Sequence, residues 1–93
     1  MSSIHKAIDR QVGRNAELFA QAIAEKETAE ARYPYLRILV GIIEQAHPEW
    51  NQAPQKDQQI ASLIVRMSRE QLSQDEVVDV IRLRDSERGF YYD

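Results

Sequence analysis

Hydrophobic positions recur along most of this chain at the three- and four-residue intervals of an α-helix. Ile4, Ile8, Val12, Ala16, Phe19 and Ile23 form one such stripe, with Lys6, Asp9, Arg10, Arg14, Glu17 and Gln21 on the other sides. The stripe predicts a helix over about 3–31. Gly13 lies inside it, at a cost near 1 kcal/mol relative to Ala, and marks either a kink or the join between a short leading helix and the main one. Past Ile23 the apolar stripe fades into Glu25-Lys26-Glu27-Thr28-Ala29-Glu30, read as a solvated helical extension in which Lys26 and Glu30 can pair.

A second segment, 35–46, differs in kind. Tyr35, Leu36, Ile38, Leu39, Val40, Ile42, Ile43 and Ala46 cover most of its circumference, and only Arg37, Gly41, Glu44 and Gln45 interrupt them. A helix apolar nearly all round is packed on several sides, so this one is expected at the centre of the fold, with Gly41 admitting a close neighbour. Its β-branched residues also suit a buried strand. No second segment with strand pattern and turn chemistry exists to pair with it, which favours the helix.

Ile60, Leu63, Ile64 and Met67 give the stripe of a third helix over 54–70. A fourth, over 74–88, has the clearest start in the chain. Ser73 stands three residues before Glu76 as in a capping box, Leu72 and Val77 have the staple spacing, and Gly89 is placed to end the helix. Pro34, Pro48 and Pro54 punctuate the chain between these helices. The expected fold is all-α: one domain over 1–93, a compact bundle of four helices with the 35–46 helix central.

Composition narrows the functional classes. Ninety-three residues make one small domain, and the balance of 43% hydrophobic and 29% charged residues is that of an ordinary globular chain. Twelve basic against fifteen acidic residues give a net charge of −3, unlike a strongly basic nucleic-acid binder. Cysteine is absent, which removes disulfides, thiolate metal sites and Cys-based catalysis. No stretch is apolar for the length of a membrane span, and the N-terminus has no secretory pattern, so a cytoplasmic protein without membrane contact is expected.

Candidate chemistry is sparse. Nucleophile elbows, Walker loops, dinucleotide loops and His-Glu-x-x-His are all missing, so an enzyme is not expected and no cofactor is called for. Asp75 and Asp79 share a helix face, but acids in first helical turns are explained by the helix dipole. Glu44 and His47 have the Glu-x-x-His spacing of di-iron bundles; a symmetric oligomer would supply the second copy, with Glu17 or Glu76 bridging. That metal-binding alternative competes with a simpler one: Pro48 puts His47 at a helix end, where an imidazolium complements the dipole. A second alternative is a DNA-binding regulator using a helix-turn-helix-like pair at 54–88. From residue 54 to 93, six basic residues face eight acidic ones, and Gln74-Asp75-Glu76 would lead the recognition helix towards phosphates, so nucleic acid is disfavoured.

The aromatic residues gather at element edges: Tyr33 and Tyr35 around Pro34, Trp50 between Pro48 and Pro54, and Phe90, Tyr91 and Tyr92 near the C-terminus. Such residues anchor interfaces or cap the ends of their own bundle. The reading favoured is a non-enzymatic protein–protein interaction module, a small adaptor, inhibitor or regulator, with Trp50, Phe90, Tyr91 and Tyr92 as partner-binding residues. A core this small without disulfide or metal, and a helix needing cover on nearly every side, point further to a homodimer.

Overall fold

The computed structural model describes residues 8–87. These form four α-helices and one 3₁₀ turn: α1 (Arg14–Ala24), α2 (Ala29–Ala46), the 3₁₀ turn (Pro48–Gln52), α3 (Lys56–Met67) and α4 (Gln74–Glu87). The protein is an all-α bundle. α2 touches every other element, as its apolar circumference implied, and α3 does the same; α1 and α4 lie on opposite sides of this pair and do not meet. The core is built from Ala16, Ala20 and Ile23 of α1, Leu36, Leu39, Val40 and Ile43 of α2, Ile60, Leu63, Ile64 and Met67 of α3, and Val77, Val80 and Ile81 of α4.

The partition of the first half differs from the pattern's expectation. Gly13 is a boundary, not a kink: it caps α1 at φ 97° and ψ 168°, a conformation essentially closed to side chains. Residues 8–12 form a separate turn. α1 stops at Ala24, and the stretch read as a solvated helical extension is a turn that ends at Thr28, whose Oγ1 accepts from the Ala31 amide at 3.1 Å to start α2. Lys26 and Glu30 therefore have no shared helix face, and the Lys26 ammonium lies 4.6 Å from the centre of the Tyr35 ring instead.

Pro34 does not divide helices either. It lies inside α2, six residues after the cap. Its missing N–H leaves the carbonyl of Glu30 without a helical partner, which is tolerable because Glu30 is exposed to water. Tertiary contacts fix this first stretch of α2: Arg32 makes two bonds to the Glu76 carboxylate, at 2.8 and 3.0 Å, and a third to the carbonyl of Lys26. Glu76 is thereby drawn away from the reciprocal half of its capping box. The other half stands, with the Glu76 amide donating to Ser73 Oγ at 3.3 Å, and Leu72 and Val77 are both buried.

α3 ends three residues early without any glycine. Buried Ser68 donates to the carbonyl of Val65 and accepts from the amide of Leu72, and of the three residues between, Arg69 and Glu70 take left-handed φ, 60° and 63°. Such residues cost about 1–2 kcal/mol each, and the buried serine bridge holds them.

Candidate interaction surface

Three features of the bundle carry exposed apolar groups or concentrated charge. The first is the outward side of α2. Leu36, Leu39, Val40 and Ile43 are completely buried, whereas Tyr35, Ile38 and Ile42 are 40%, 54% and 40% exposed. At spacings of three and four residues these form one row along the helix. Phe19 of α1 meets Tyr35 edge-on with ring centres 6.5 Å apart, and Lys26 covers the ring from the other element junction. The helix expected to be enclosed on nearly every side is thus open along this row.

The second feature is a group of four charged side chains where α2, α3 and α4 meet. Glu44, almost wholly buried, has Arg84 Nη1 at 2.6 Å from one oxygen and Lys56 Nζ at 3.1 Å from the other; Lys56 also reaches Asp85 at 3.1 Å. Burial pushes the Glu44 carboxyl up, but the bonds from Arg84 and Lys56 outweigh this and hold it below the usual carboxylate range. Burial likewise opposes the charge of Lys56, and Glu44 and Asp85 overcome it, so its pKa is raised. Two acids and two bases cancel. Gly41 borders this group: a Cβ there would lie 3.1 Å from Arg84 Nη2. The close neighbour expected at Gly41 is therefore a guanidinium, not the backbone of another helix.

The third feature surrounds His47, which ends α2 and is 5% exposed. Its Nε2 is 2.7 Å from Asp9 Oδ2 and its Nδ1 is 2.8 Å from Glu49 Oε2. The Trp50 ring stacks on it at 4.0 Å, with the ring planes nearly parallel. Burial disfavours the imidazolium, yet the hydrogen bonds to Glu49 and Asp9 outweigh it and hold the His47 pKa above its ordinary value. Asp9 is shifted down: burial opposes, and bonds from the Val12 amide and His47 prevail. Beside this stack lies an open groove of about 350 Å³ bordered by Asp9, Trp50, Gln58, Gln59, Ser62 and Arg66.

The expected site residues fall as follows. Trp50 is half-buried, packs against the core and serves its own fold through the stack on His47. Phe90, Tyr91 and Tyr92 lie outside the described residues, as does Gly89. Glu44 and His47 do not form a common site: Glu44 turns to α3 and α4, while His47 turns to the N-terminal segment and the 3₁₀ turn. The carboxylates around His47 sit on opposite edges of the ring and cannot chelate one ion with it, and among the described residues no group of three potential ligands suits a metal. Glu17 is buried in a role of its own, paired with Arg14 at 3.0 Å and accepting from the amide of Ile8; Glu76 holds Arg32. In the α3–α4 pair, Lys56, Arg82 and Arg84 are each ion-paired within the domain, to Asp85 and Glu44, to Asp57, and to Glu44 respectively. Among the described residues of this half, Arg66 and Arg69 make no ion pair.

Sequence reading missed the Asp9–His47 pair, separated by 38 positions, and the α2 row, because an apolar residue carries no mark of which side stays uncovered. Comparison with protein-family models, with curated proteins and with solved structures finds no match. Among the described residues no helix is long and apolar enough to cross a membrane.

Proposed function

We propose that this protein is a non-enzymatic protein–protein interaction module that works as a homodimer, with the Tyr35–Ile38–Ile42 row of α2 as its contact. The observation that carries this reading is the exposure of Ile38 and Ile42, 54% and 40%, on the helix that otherwise supplies the centre of the core. Contiguous apolar residues on a surface favour association, at about 25 cal/mol per Å² removed from water. A second copy fits the row because the row is close to self-complementary. Ile38 lies near its middle, and an antiparallel two-fold apposition sets Tyr35 of one protomer against Ile42 of the other. Phe90, Tyr91 and Tyr92 belong to the proposed contact on sequence grounds, as aromatic anchors.

Light scattering after size exclusion, from about 1 to 200 μM (a range spanning weak to moderate affinities), tests this. Association to twice 10.8 kDa is expected, with Ile38→Asp shifting the mass to 10.8 kDa while its helical circular dichroism is retained. A parent protein of 10.8 kDa throughout, or a dimer indifferent to Ile38→Asp, would refute the proposed contact.

A further inference from the structure

We infer that residues 8–13 form an arm latched to the end of α2 by the doubly protonated His47 ring, and that removing one ring proton lets the arm leave the Trp50 groove. The arm buries little apolar surface. Val12 packs partly against the core, while Ile8 is 41% exposed. Its attachment is polar: Asp9 to His47, the Gln11 side-chain amide to the carbonyl of Ala46 at 3.2 Å, and the Ile8 amide to Glu17. Of these tethers only Asp9–His47 joins two charged groups.

The geometry requires both imidazole protons. Carboxylate oxygens lie within 2.8 Å of both ring nitrogens, and a carboxylate only accepts. A neutral ring supplies one N–H and turns a lone pair towards the other acid. The two acids then fare differently. The Glu49 side chain is 57% exposed and already solvated. The Asp9 side chain is 16% exposed, and without the imidazolium it is a desolvated carboxylate with no cation against it.

The surroundings offer no substitute. On the α3 side Arg66 borders the same groove but forms no ion pair with Asp9 among the described residues, and the remaining groove side chains of α3 are uncharged: two amides, a hydroxyl and Leu63. Arg10 on the arm is exposed, and Glu44 of α2 is held by Arg84 and Lys56. Asp9 regains water by moving out, and the bonds that its Oδ1 accepts from the amides of Gln11 and Val12 then open to solvent. One border of the groove goes with Asp9. The arm is closed below the His47 pKa and open above it.

Trp50 is the one tryptophan of the chain, so its emission reports this ring directly. An imidazolium in face contact accepts an electron from excited indole and quenches it; neutral imidazole does so far less. Emission is therefore expected to rise in a one-proton step with its midpoint above 6.5, and the step should vanish in His47→Gln. Across the same step, hydrogen-exchange protection of the Gln11 and Val12 amides, corrected for intrinsic rates, should fall about tenfold or more. Asp9→Asn should lower that protection already at pH values below the step, while Trp50 stays stacked. Flat emission, a step that survives in His47→Gln, or a step that leaves the Gln11 and Val12 amides equally protected would each overturn the latch.

Discussion

Two charged clusters lie only three residues apart along α2, and they behave as opposites. Glu44 is bound by Arg84 and Lys56, whose charges persist across the whole physiological range. His47 is bound by Asp9 and Glu49, and its charge depends on a proton that neutral pH can remove. Glu44 and His47 are both buried, and both are held by short hydrogen bonds. The first joins the C-terminal part of α2 to α3 and α4 permanently. The second joins it to a short arm on a condition. Burial therefore does not determine whether a charge cluster is rigid scaffold or switchable contact; the identity of the cation does.

The largest effect should come from emptying the permanent cluster. Glu44→Ala leaves Lys56 and Arg84 facing each other with one acid removed, and should destabilise by about 3 kcal/mol. Urea midpoints measured from about pH 5.5 to pH 9 (across the His range) should show the same loss throughout. A loss that varies with pH over that interval would blur the contrast between the clusters.

The conditional cluster should show its sign. The folded pKa of His47 is raised, so its contribution is complete below the unfolded value of 6.5 and disappears as pH rises through the folded value. Asp9 and Glu49 are lowered, so their contributions are present above the ordinary carboxylate range and fail as pH falls through the folded values. The clamp is strongest between these limits, at mildly acidic pH. His47→Gln should therefore cost about 2 kcal/mol near pH 6 and clearly less near pH 9, as judged by chemical denaturation at each pH. An equal cost at both would mean that the ring is neutral in the folded protein.

Two glycines sharpen the comparison further, one beside each cluster. Gly13 closes the arm at φ 97°, so Gly13→Ala should destabilise by about 1–3 kcal/mol through backbone strain although nothing lies within 4 Å of the new methyl. Gly41 is helical and meets only the flexible end of Arg84. Gly41→Ala gains helix propensity near 1 kcal/mol and displaces the guanidinium from a tight position, for a net change within about 0.5 kcal/mol. Thermal midpoints in the opposite order would show that the arm tolerates a side chain at 13 and that Arg84 cannot yield.

The pattern of apolar spacing was enough to give the all-α class, the four helices, the central place of the 35–46 segment and the start of α4 at Ser73, because helical period and N-caps are local properties. Three boundaries resisted. The Gly13 boundary was visible only as an alternative, since glycine is compatible with both a helix interior and a cap. Thr28 has an ordinary capping side chain, but a proline six residues later is normally read as a stop, and tertiary anchoring by Arg32 and Glu76 overrides it. The end of α3 depends on Ser68 being buried, which no neighbour in sequence announces.

For the candidate surfaces the division is similar. Glu44 and His47 were singled out from the chain, yet the charged groups that hold them across the fold were not, because Asp9, Lys56, Arg84 and Asp85 are brought to them by the packing of separate elements. Likewise, Leu39 and Ile38 are adjacent residues of like character, and the sequence treats them alike. One is completely buried and the other 54% exposed. Amino-acid order by itself determined which stretches become helices and that α2 would be the most apolar of them. Which side of α2 the other helices cover, and which acids meet His47, were decided only when the helices packed, since coverage and charge pairing are relations between elements distant in sequence and not properties of any one segment.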